Sequence, residues 1–236
     1  MIPKNRNISL SRLIQVIRRR GILNVIIIIL IQIRVVITDM WFDLKNGTDT
    51  TSPIELDELF ITSNNKELGT AYEPTAVLVL RKLFARLVIP NNSILVDFGC
   101  GKGRVLMIAS EFGFKEVRGV DFSSKLCKIA INNCQKYKEK MQSTIIYRIF
   151  QSDVVDYQIK NDENVFYLFN PFGAEILDQV LNNIQLSLSD NPRKIWIIYY
   201  NPKFQDIIKN MNQYIKENEI SYGPKYTIFV YTNIFV

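Results

Sequence analysis

The feature that most constrains the fold of this chain is a regular alternation of short apolar runs and amphipathic segments that begins at residue 93. The apolar runs have the length and composition of strands buried on both faces of a parallel sheet, and they lie at 93–99, 116–122, 144–153, 164–170 and 193–202. Longer segments between them repeat apolar residues at helical spacing, at 103–113, 123–140 and 174–190. The alternation predicts a doubly wound α/β fold with right-handed crossovers.

The C-terminal part of the chain departs from this alternation. A short helix is expected near residues 204–211, and residues 226–236 are rich in β-branched and aromatic side chains. We expect the last two strand candidates to form a hairpin at one edge of the sheet.

The net charge of +6 is concentrated near the N-terminus. Residues 1–38 hold seven basic residues and no acidic residue, whereas the other 198 residues sum to −1. Because that larger part has no evident basic stripe, we expect no nucleic-acid partner.

Residues 22–38, within the basic segment, form an isoleucine-rich apolar run. The run is near the lower limit of about 20 residues that a membrane-spanning helix needs, and Asn24, Gln32 and Arg34 interrupt it. We therefore expect a helix that is buried in the main domain or packs on it. Peripheral membrane contact through residues 1–38 is one alternative, because basic amphipathic segments often lie on membranes, and a true span is another.

Several turn signals in residues 39–70 predict an irregular segment. Pro74 then precedes an apolar stretch, 75–89, that we predict to be a helix with the proline near its first position. The sequence is therefore divided into an N-terminal helical and irregular extension, residues 1–70, and a main domain, residues 71–236.

The absence of histidine removes several reaction classes. No Ser-His-Asp or Cys-His catalytic arrangement can form, and we expect no metal site from three cysteines alone. A general base must be a carboxylate, a tyrosine, a lysine or a backbone group. Cys100, Cys127 and Cys134 are odd in number and close together, which favours a reducing, cytoplasmic compartment over a disulfide framework.

The first apolar run ends in a glycine-rich loop that opens a helix, Asp97-Phe98-Gly99-Cys100-Gly101-Lys102-Gly103. Glycines let the backbone turn tightly and approach a ligand. Eighteen residues beyond Gly103, Asp121 ends the next strand, where a carboxylate can accept the hydroxyl groups of a ribose. The spacing is G-x-G-x-G rather than G-x-G-x-x-G, and Asp97 would repel a pyrophosphate but attract a cation. The loop therefore favours a nucleoside that carries positive charge over a dinucleotide.

This stretch resembles motif one of the class I S-adenosylmethionine-dependent methyltransferases, and the resemblance covers residues 72–236. It implies a Rossmann-like, mostly parallel seven-stranded sheet and S-adenosyl-L-methionine as the cofactor. The residues that it implies for cofactor binding are Tyr72, Thr75, Asp97, Gly99, Gly101, Gly103, Asp121, Phe122, Asp153, Val154 and Asn170. Among these, Asp153 matches the position that meets the adenine amino group.

Two further segments narrow the resemblance. Asn170-Pro171-Phe172 resembles the (D/N)PPY-like motif of amino-group methyltransferases, although the second proline is missing. Tyr72-Glu73-Pro74-Thr75 resembles a Y-x-P-(T/S) segment of small protein-lysine methyltransferases related to the seven-strand histone-lysine enzymes, where it caps the methionine end of the cofactor. The resemblance implies a catalytic slot formed by Asn170, Pro171 and Phe172, with Tyr72 as a polar helper.

The resemblance therefore implies an enzyme that methylates an amino group, such as a protein lysine. A small-molecule or lipid methyltransferase is an alternative, in which the apolar N-terminus would recruit a membrane substrate, and a non-catalytic nucleotide-binding module is another. The missing second proline leaves oxygen and carbon acceptors open, and the sequence leaves the oligomeric state open.

Overall fold

The computed structural model describes residues 21–54, 72–169, 173–223 and 226–234 of the 236-residue chain. The strands, in chain order, are β1 (Ile94–Phe98), β2 (Glu116–Asp121), β3 (Ile146–Gln151), β4 (Val165–Phe169), β5 (Trp196–Tyr200), β6 (Tyr214–Tyr222) and β7 (Tyr226–Asn233). The described helices are α1 (Ile22–Asn46), α2 (Val77–Phe84), α3 (Arg104–Ala109), α4 (Ser124–Met141), α5 (Ala174–Asp190) and α6 (Gln205–Lys209).

All seven strands belong to one sheet with the order β3-β2-β1-β4-β5-β7-β6. Strands β1 to β5 are parallel, while β7 runs antiparallel to β5 and to β6. The predicted doubly wound, mostly parallel seven-stranded sheet is therefore confirmed. The last two strand candidates, β5 and β7, pair in antiparallel orientation, but the hairpin at the edge is formed by β6 and β7, and β6 lies in a polar stretch that the sequence pattern does not predict to be a strand.

The core lies on both faces of the sheet because alternate side chains of each strand point in opposite directions. Along β1, Leu95 packs in the cluster that includes α2 and α3, whereas Val96 and Phe98 pack in the cluster that includes α5 and α6. Every residue of β1 is buried, as the continuous apolar run predicts for a central parallel strand. The helices on both faces hold the carboxyl end of β1 in a fixed place.

Helix α1 is longer than the sequence pattern predicts. It continues to Asn46, so residues 39–46 are helical rather than irregular, and Gly47 ends it in the left-handed conformation. The helix packs on the domain as expected, through a stripe that includes Val25, Val35 and Phe42, but most of its apolar side chains are exposed rather than buried. By length and composition alone, α1 is also long and apolar enough to cross a membrane.

Helix α2 is shorter than the predicted 75–89, because the helix begins at Val77 and ends at Phe84. Its first backbone donor is capped from outside the helix, since the Val77 N–H donates to Asp39 Oδ1 of α1 at 2.9 Å. This bond ties α1 to the start of α2, next to the predicted Tyr72–Thr75 segment.

Candidate active site

An open cleft of about 700 Å³ lies at the carboxyl ends of β1 and β4. The strand order reverses between these two strands, and such a switch point is where open α/β sheets bind ligands. Seven of the predicted cofactor residues line the cleft, namely Tyr72, Thr75, Asp97, Gly99, Gly101, Asp121 and Phe122. The topology therefore brings together residues that are up to 50 positions apart in the sequence, from Tyr72 to Phe122.

The glycine-rich loop needs glycine at two positions for different reasons. Gly101 has φ +53°, and a Cβ there would collide with the ring of Tyr72, which lies against the loop. Gly103 has φ +81° and approaches Ala130 and Cys134 of α4 so closely that a Cβ would lie 3.2 Å from the Cys134 Sγ. The loop is thus compressed between Tyr72 and α4, with its backbone facing the cleft.

Asp121, at the end of β2, holds the loop in place. Its Oδ2 accepts the Gly101 N–H at 2.9 Å, and its Oδ1 accepts the Ser123 N–H at 2.9 Å. Burial raises the pKa of Asp121 to about 6, although both backbone hydrogen bonds act in the opposite direction. Each carboxylate oxygen keeps further acceptor capacity, so Asp121 can also accept hydroxyl groups of a ligand in the cleft.

Asp97 is the penultimate residue of β1 and is 2% exposed. Its Oδ2 is buried and has no hydrogen-bond partner among the residues that the structure describes. Burial, and then the charge of Asp121, raise the pKa of Asp97 well above its usual range. A buried carboxylate oxygen without a partner is costly, and a cationic group of a ligand would remove that cost.

Arg104 lines the same cleft from the first position of α3, and sequence reasoning did not assign it to the site. Its Nε donates to Thr50 Oγ1 at 2.7 Å, and its Nη1 donates to Asp39 Oδ2 at 2.7 Å and to the Thr75 carbonyl oxygen at 3.2 Å. A sequence signal existed, because a cation in the first turn of a helix opposes the helix dipole and needs anionic partners.

The segment after α1 forms the outer wall of the loop. Asp43 accepts hydrogen bonds from the Thr50 N–H at 2.9 Å and from the Thr48 hydroxyl at 2.7 Å. Lys102, which is fully buried, donates to Asp49 Oδ2 at 3.0 Å, and Asn133 Nδ2 donates to the Lys102 carbonyl oxygen at 3.0 Å. The glycine-rich loop is therefore fixed from the side of α1 as well as from the side of the sheet.

Tyr72 is part of this outer wall of the glycine-rich loop. Its hydroxyl donates to the Thr50 carbonyl oxygen at 2.9 Å, and burial raises its pKa above the usual range. Thr75 is buried, and its Oγ1 is hydrogen-bonded to the Tyr167 hydroxyl of β4 at 2.8 Å. Tyr72 and Thr75 therefore line the cleft beside the glycine-rich loop.

The remaining predicted residues are placed differently. Gly103 is not a lining residue and instead precedes α3 as its N-cap. Asp153 and Val154 are not among the described residues that line the cleft; the Asp153 Oδ1 accepts the Val155 N–H at 3.2 Å, and the Val154 side chain is buried in the core. The predicted catalytic residues 170–172 lie outside the described residues.

Comparison with known proteins identifies the family. A family model described as ribosomal protein L11 methyltransferase (PrmA) matches residues 31–218. The chain is 29% identical over 93 residues to a ribosomal protein L11 methyltransferase of Hydrogenovibrio crunogenus, an alignment that covers 39% of this chain and 31% of that protein. It is 27% identical over 85 residues to a protein-lysine N-methyltransferase of Saccharolobus islandicus, covering 35% of this chain and 53% of that protein. The chain therefore spans about half or less of the length of these curated relatives.

Solved structures share the fold. An RNA methyltransferase from Salinibacter ruber, crystallised with S-adenosyl-L-homocysteine, superposes with a TM-score of 0.51 at 16% identity. The match covers 68% of this chain and 94% of that chain. The fold, the glycine-rich loop between β1 and α3, and the family match over most of the chain confirm the resemblance to class I methyltransferases: the chain belongs to the ribosomal protein L11 methyltransferase (PrmA) family.

Proposed function

We propose that this protein is an S-adenosylmethionine-dependent methyltransferase that methylates an amino group, with a protein lysine as the acceptor. The observation that carries the proposal is the cleft at the switch point of the sheet, where the glycine-rich loop lies between Asp97 and Asp121. The relatives, which include L11 methyltransferases and a protein-lysine N-methyltransferase, support a protein acceptor.

The described residues fit S-adenosylmethionine. Asp121 offers carboxylate oxygens for the ribose hydroxyls, and the unpartnered Oδ2 of Asp97 offers an acceptor for the ammonium group. Gly101 lets the backbone approach the ligand, and Phe122 and Leu126 supply apolar surface in the same cleft for the base.

The bound cofactor would supply a methyl group that is already activated on a sulfonium, so the protein has to position and desolvate the acceptor. A lysine amine has a solution pKa of about 10.4, and an apolar slot lowers it by disfavouring the charged form. Tyr167 and Phe169 of β4 line the cleft and offer such surroundings. No histidine is needed for this chemistry.

We assign the acceptor slot to Asn170, Pro171 and Phe172. These residues directly follow Phe169, whose side chain lines the cleft, and β4 is the neighbour of β1. The amide oxygen of Asn170 would accept a hydrogen bond from the amine and direct its lone pair, while Pro171 would stiffen the turn. Phe172 would line the slot or contact the cationic form of the substrate.

Tyr72 has a different part in this proposal. Because its hydroxyl proton is donated to the Thr50 carbonyl and its pKa is raised by burial, Tyr72 remains neutral and does not accept a proton. Its ring closes the cleft over the glycine-rich loop, so it positions the ligand rather than acting as a base.

Methyl transfer into a lysate tests this function. The full chain is incubated with S-adenosylmethionine labelled in the methyl group, and label is counted in protein, lipid and small-molecule fractions. We expect label in protein, recovered as methyllysine after hydrolysis, and none with Asp121→Ala. Asn170→Ala should lose transfer but keep S-adenosylhomocysteine binding. Label in lipid would support a lipid methyltransferase, and cofactor binding without label in any fraction would support a non-catalytic module.

We also propose that α1 holds the enzyme on the cytoplasmic surface of an acidic membrane. The exposed apolar face of α1 includes Leu30, which is 58% exposed, together with Ile26, Ile33 and Ile37. The seven basic residues of positions 1–38 provide charge complementary to anionic lipid headgroups. An exposed apolar patch of this kind, flanked by basic residues, is typical of an interfacial helix.

Contacts with the domain favour a helix that lies on the membrane over one that crosses it. Gln32 Oε1 accepts the Tyr226 hydroxyl at 3.1 Å, and Asp39 is paired with Arg104 at 2.7 Å, so both halves of α1 are attached to the domain. A spanning helix would have to break these bonds.

Sedimentation with vesicles tests the membrane contact. The full chain should sediment with vesicles that contain phosphatidylserine and not with phosphatidylcholine alone, and salt should weaken the interaction. Leu30→Ser with Ile33→Ser should abolish it. Equal sedimentation of this double variant and the unaltered chain would contradict the proposal.

A further inference from the structure

Arg104 has one donor nitrogen that the protein does not use. Its Nε and Nη1 are hydrogen-bonded to Thr50, Asp39 and Thr75, but its Nη2 is buried and has no partner among the described residues. The residue is only 2% exposed, so water does not readily replace the missing partner. Such an unsatisfied donor on a charged group costs free energy unless a ligand completes it.

The cleft contains a second buried group in the same condition but of opposite charge. Asp97 Oδ2 is also without a partner in the described part of the chain, and Asp97 and Arg104 both line the cleft. The two side chains are not bonded to each other, although opposite charges in a low-dielectric site attract strongly. The cleft is therefore lined by two residues that each keep one buried polar atom without a partner in the described part of the chain, an acceptor on Asp97 and a donor on Arg104.

We infer that Arg104 binds the carboxylate at the amino-acid end of the cofactor, so that Arg104 and Asp97 together recognise a zwitterion; this rests on the proposed function. Asp97 accepts the ammonium group, and the free Nη2 of Arg104 donates to the carboxylate. A hydrogen bond between two ionised groups in a buried site is among the stronger polar contacts in proteins. The pair discriminates an α-amino acid from a simple amine.

Asp39 is the positioning residue for this contact. Its Oδ2 accepts Arg104 Nη1, and its Oδ1 accepts the Val77 N–H, so the carboxylate joins α1, α2 and the guanidinium. With Nε also held by Thr50, the guanidinium plane is fixed and Nη2 has a single orientation. Helix α1 is therefore directly connected to ligand recognition.

Calorimetry with two ligands tests the assignment on the full chain. S-adenosylhomocysteine carries both the ammonium and the carboxylate, and its decarboxylated analogue, S-adenosyl-3-thiopropylamine, carries only the ammonium. We expect the unaltered protein to bind the first at least tenfold more tightly, in line with the usual strength of a charged hydrogen bond. This comparison needs no variant, so a folding defect cannot obscure it.

Variants then assign the preference to Arg104. The lysine of Arg104→Lys can still pair with Asp39 through its ammonium group, but it has no second nitrogen for the ligand carboxylate. The preference for S-adenosylhomocysteine should therefore disappear, while the affinity for the decarboxylated analogue should stay unchanged. Asp39→Asn should reduce the preference in the same direction. Arg81→Lys is the matched control, because Arg81 pairs with Glu111 at 2.9 Å away from the cleft, and it should keep the full preference.

Two results would overturn the inference. If the unaltered protein binds both ligands equally, or if Arg104→Lys weakens both by the same factor, Arg104 has only a structural role and the proposed function stands. If the unaltered protein binds neither ligand, the proposed function fails together with the inference.

Discussion

Two buried arginines, Arg118 and Arg104, differ in how completely their hydrogen-bond donors are satisfied. Arg118, on β2, is 5% exposed and donates to Glu116 at 2.6 Å, to Glu163 at 2.7 Å and to Asp162 at 2.8 Å. Its Nη2 also has a partner, the second oxygen of Asp162, at 2.9 Å. Arg104 is equally buried, yet its Nη2 has no partner among the described residues.

The difference shows that burial of a charge does not by itself indicate a functional site. The Arg118 cluster is internally satisfied, so it can contribute to the fold but has nothing to offer a ligand. Arg104, which lines the cleft, is satisfied at Nε and Nη1 by Thr50 and Asp39, but its Nη2 has no partner among the described residues. An incomplete polar network in an otherwise well-packed protein is therefore the informative feature.

Replacing each arginine by methionine should give the largest difference between the two clusters, measured as loss of unfolding free energy. Arg118→Met leaves the buried Glu163 without its arginine and Glu116 with only the half-exposed Arg148, which we expect to lower the free energy of unfolding by about 3–5 kcal/mol. Arg104→Met should cost less, because burial already raises the pKa of Asp39 and that carboxyl can become neutral. Urea unfolding measures both. Equal losses of stability would remove the distinction between the two clusters.

Glycine substitutions compare a position in the cleft with a position away from it. Gly101 and Gly47 have similar positive φ angles, +53° and +65°, so alanine is strained at both. Only at Gly101 would the new Cβ meet another side chain, that of Tyr72. We expect Gly101→Ala to weaken S-adenosylhomocysteine binding by at least tenfold in calorimetry, about 1.4 kcal/mol, and Gly47→Ala to leave it unchanged. A similar loss with both variants would attribute the effect to backbone strain alone.

The two clusters should also differ in their pH dependence. Hydrogen bonding to Arg118 lowers the pKa of Asp162, so its contribution to stability is present above its unfolded pKa and is lost as the pH falls. The pH dependence of the Asp121 contribution to stability has the opposite sign. Burial raises the pKa of Asp121 to about 6, so its contribution to stability is lost as the pH rises through that value.

In the proposed function, the ionised form of Asp121 accepts the ribose hydroxyls of the ligand. The affinity for S-adenosylhomocysteine should therefore fall below about pH 6, by up to about tenfold per pH unit. Calorimetry at several pH values checks this, with Asp121→Asn as the control that should flatten the Asp121 part of the profile. An affinity that is constant from pH 5 to pH 8 would contradict it.

The smallest effect is expected on the exposed face of α1. Leu30→Ser and Ile33→Ser remove side chains that are at least half exposed, so each should change the free energy of unfolding by no more than about 0.5 kcal/mol. Chemical denaturation in the absence of lipid measures this. A loss of several kcal/mol would mean that this face is covered within the protein, and it would then be unavailable to a membrane.

The sequence predicts the parts of the fold that depend on continuous apolar runs. Strands β1 to β5 are buried on both faces or nearly so, apart from β3 at the edge, and their pattern is strong. Strand β6 escapes prediction because Lys216, Glu217 and Glu219 give it the composition of a loop, although it pairs along its length with β7. Polar edge strands are common because they discourage pairing with other chains.

The sequence likewise predicts only part of the candidate site. Asp97 and Asp121 follow from local spacing, since a strand end and a glycine-rich loop define them. Arg104 cannot be assigned from spacing, because its role depends on Asp39, which lies 65 residues earlier on a helix that the sequence places in a separate extension. The connection between α1 and the cleft is a tertiary contact that leaves no periodic pattern.

The most direct test of the account is the binding of S-adenosylhomocysteine to the unaltered chain and to Asp121→Ala, measured by calorimetry near pH 7.5. We predict one site per chain and a loss of at least about 100-fold in the variant, because Asp121 holds the loop and is the proposed acceptor for the ribose hydroxyls. Circular dichroism should show that the variant remains folded. No binding by the unaltered chain, or equal affinity in the folded variant, would contradict the account.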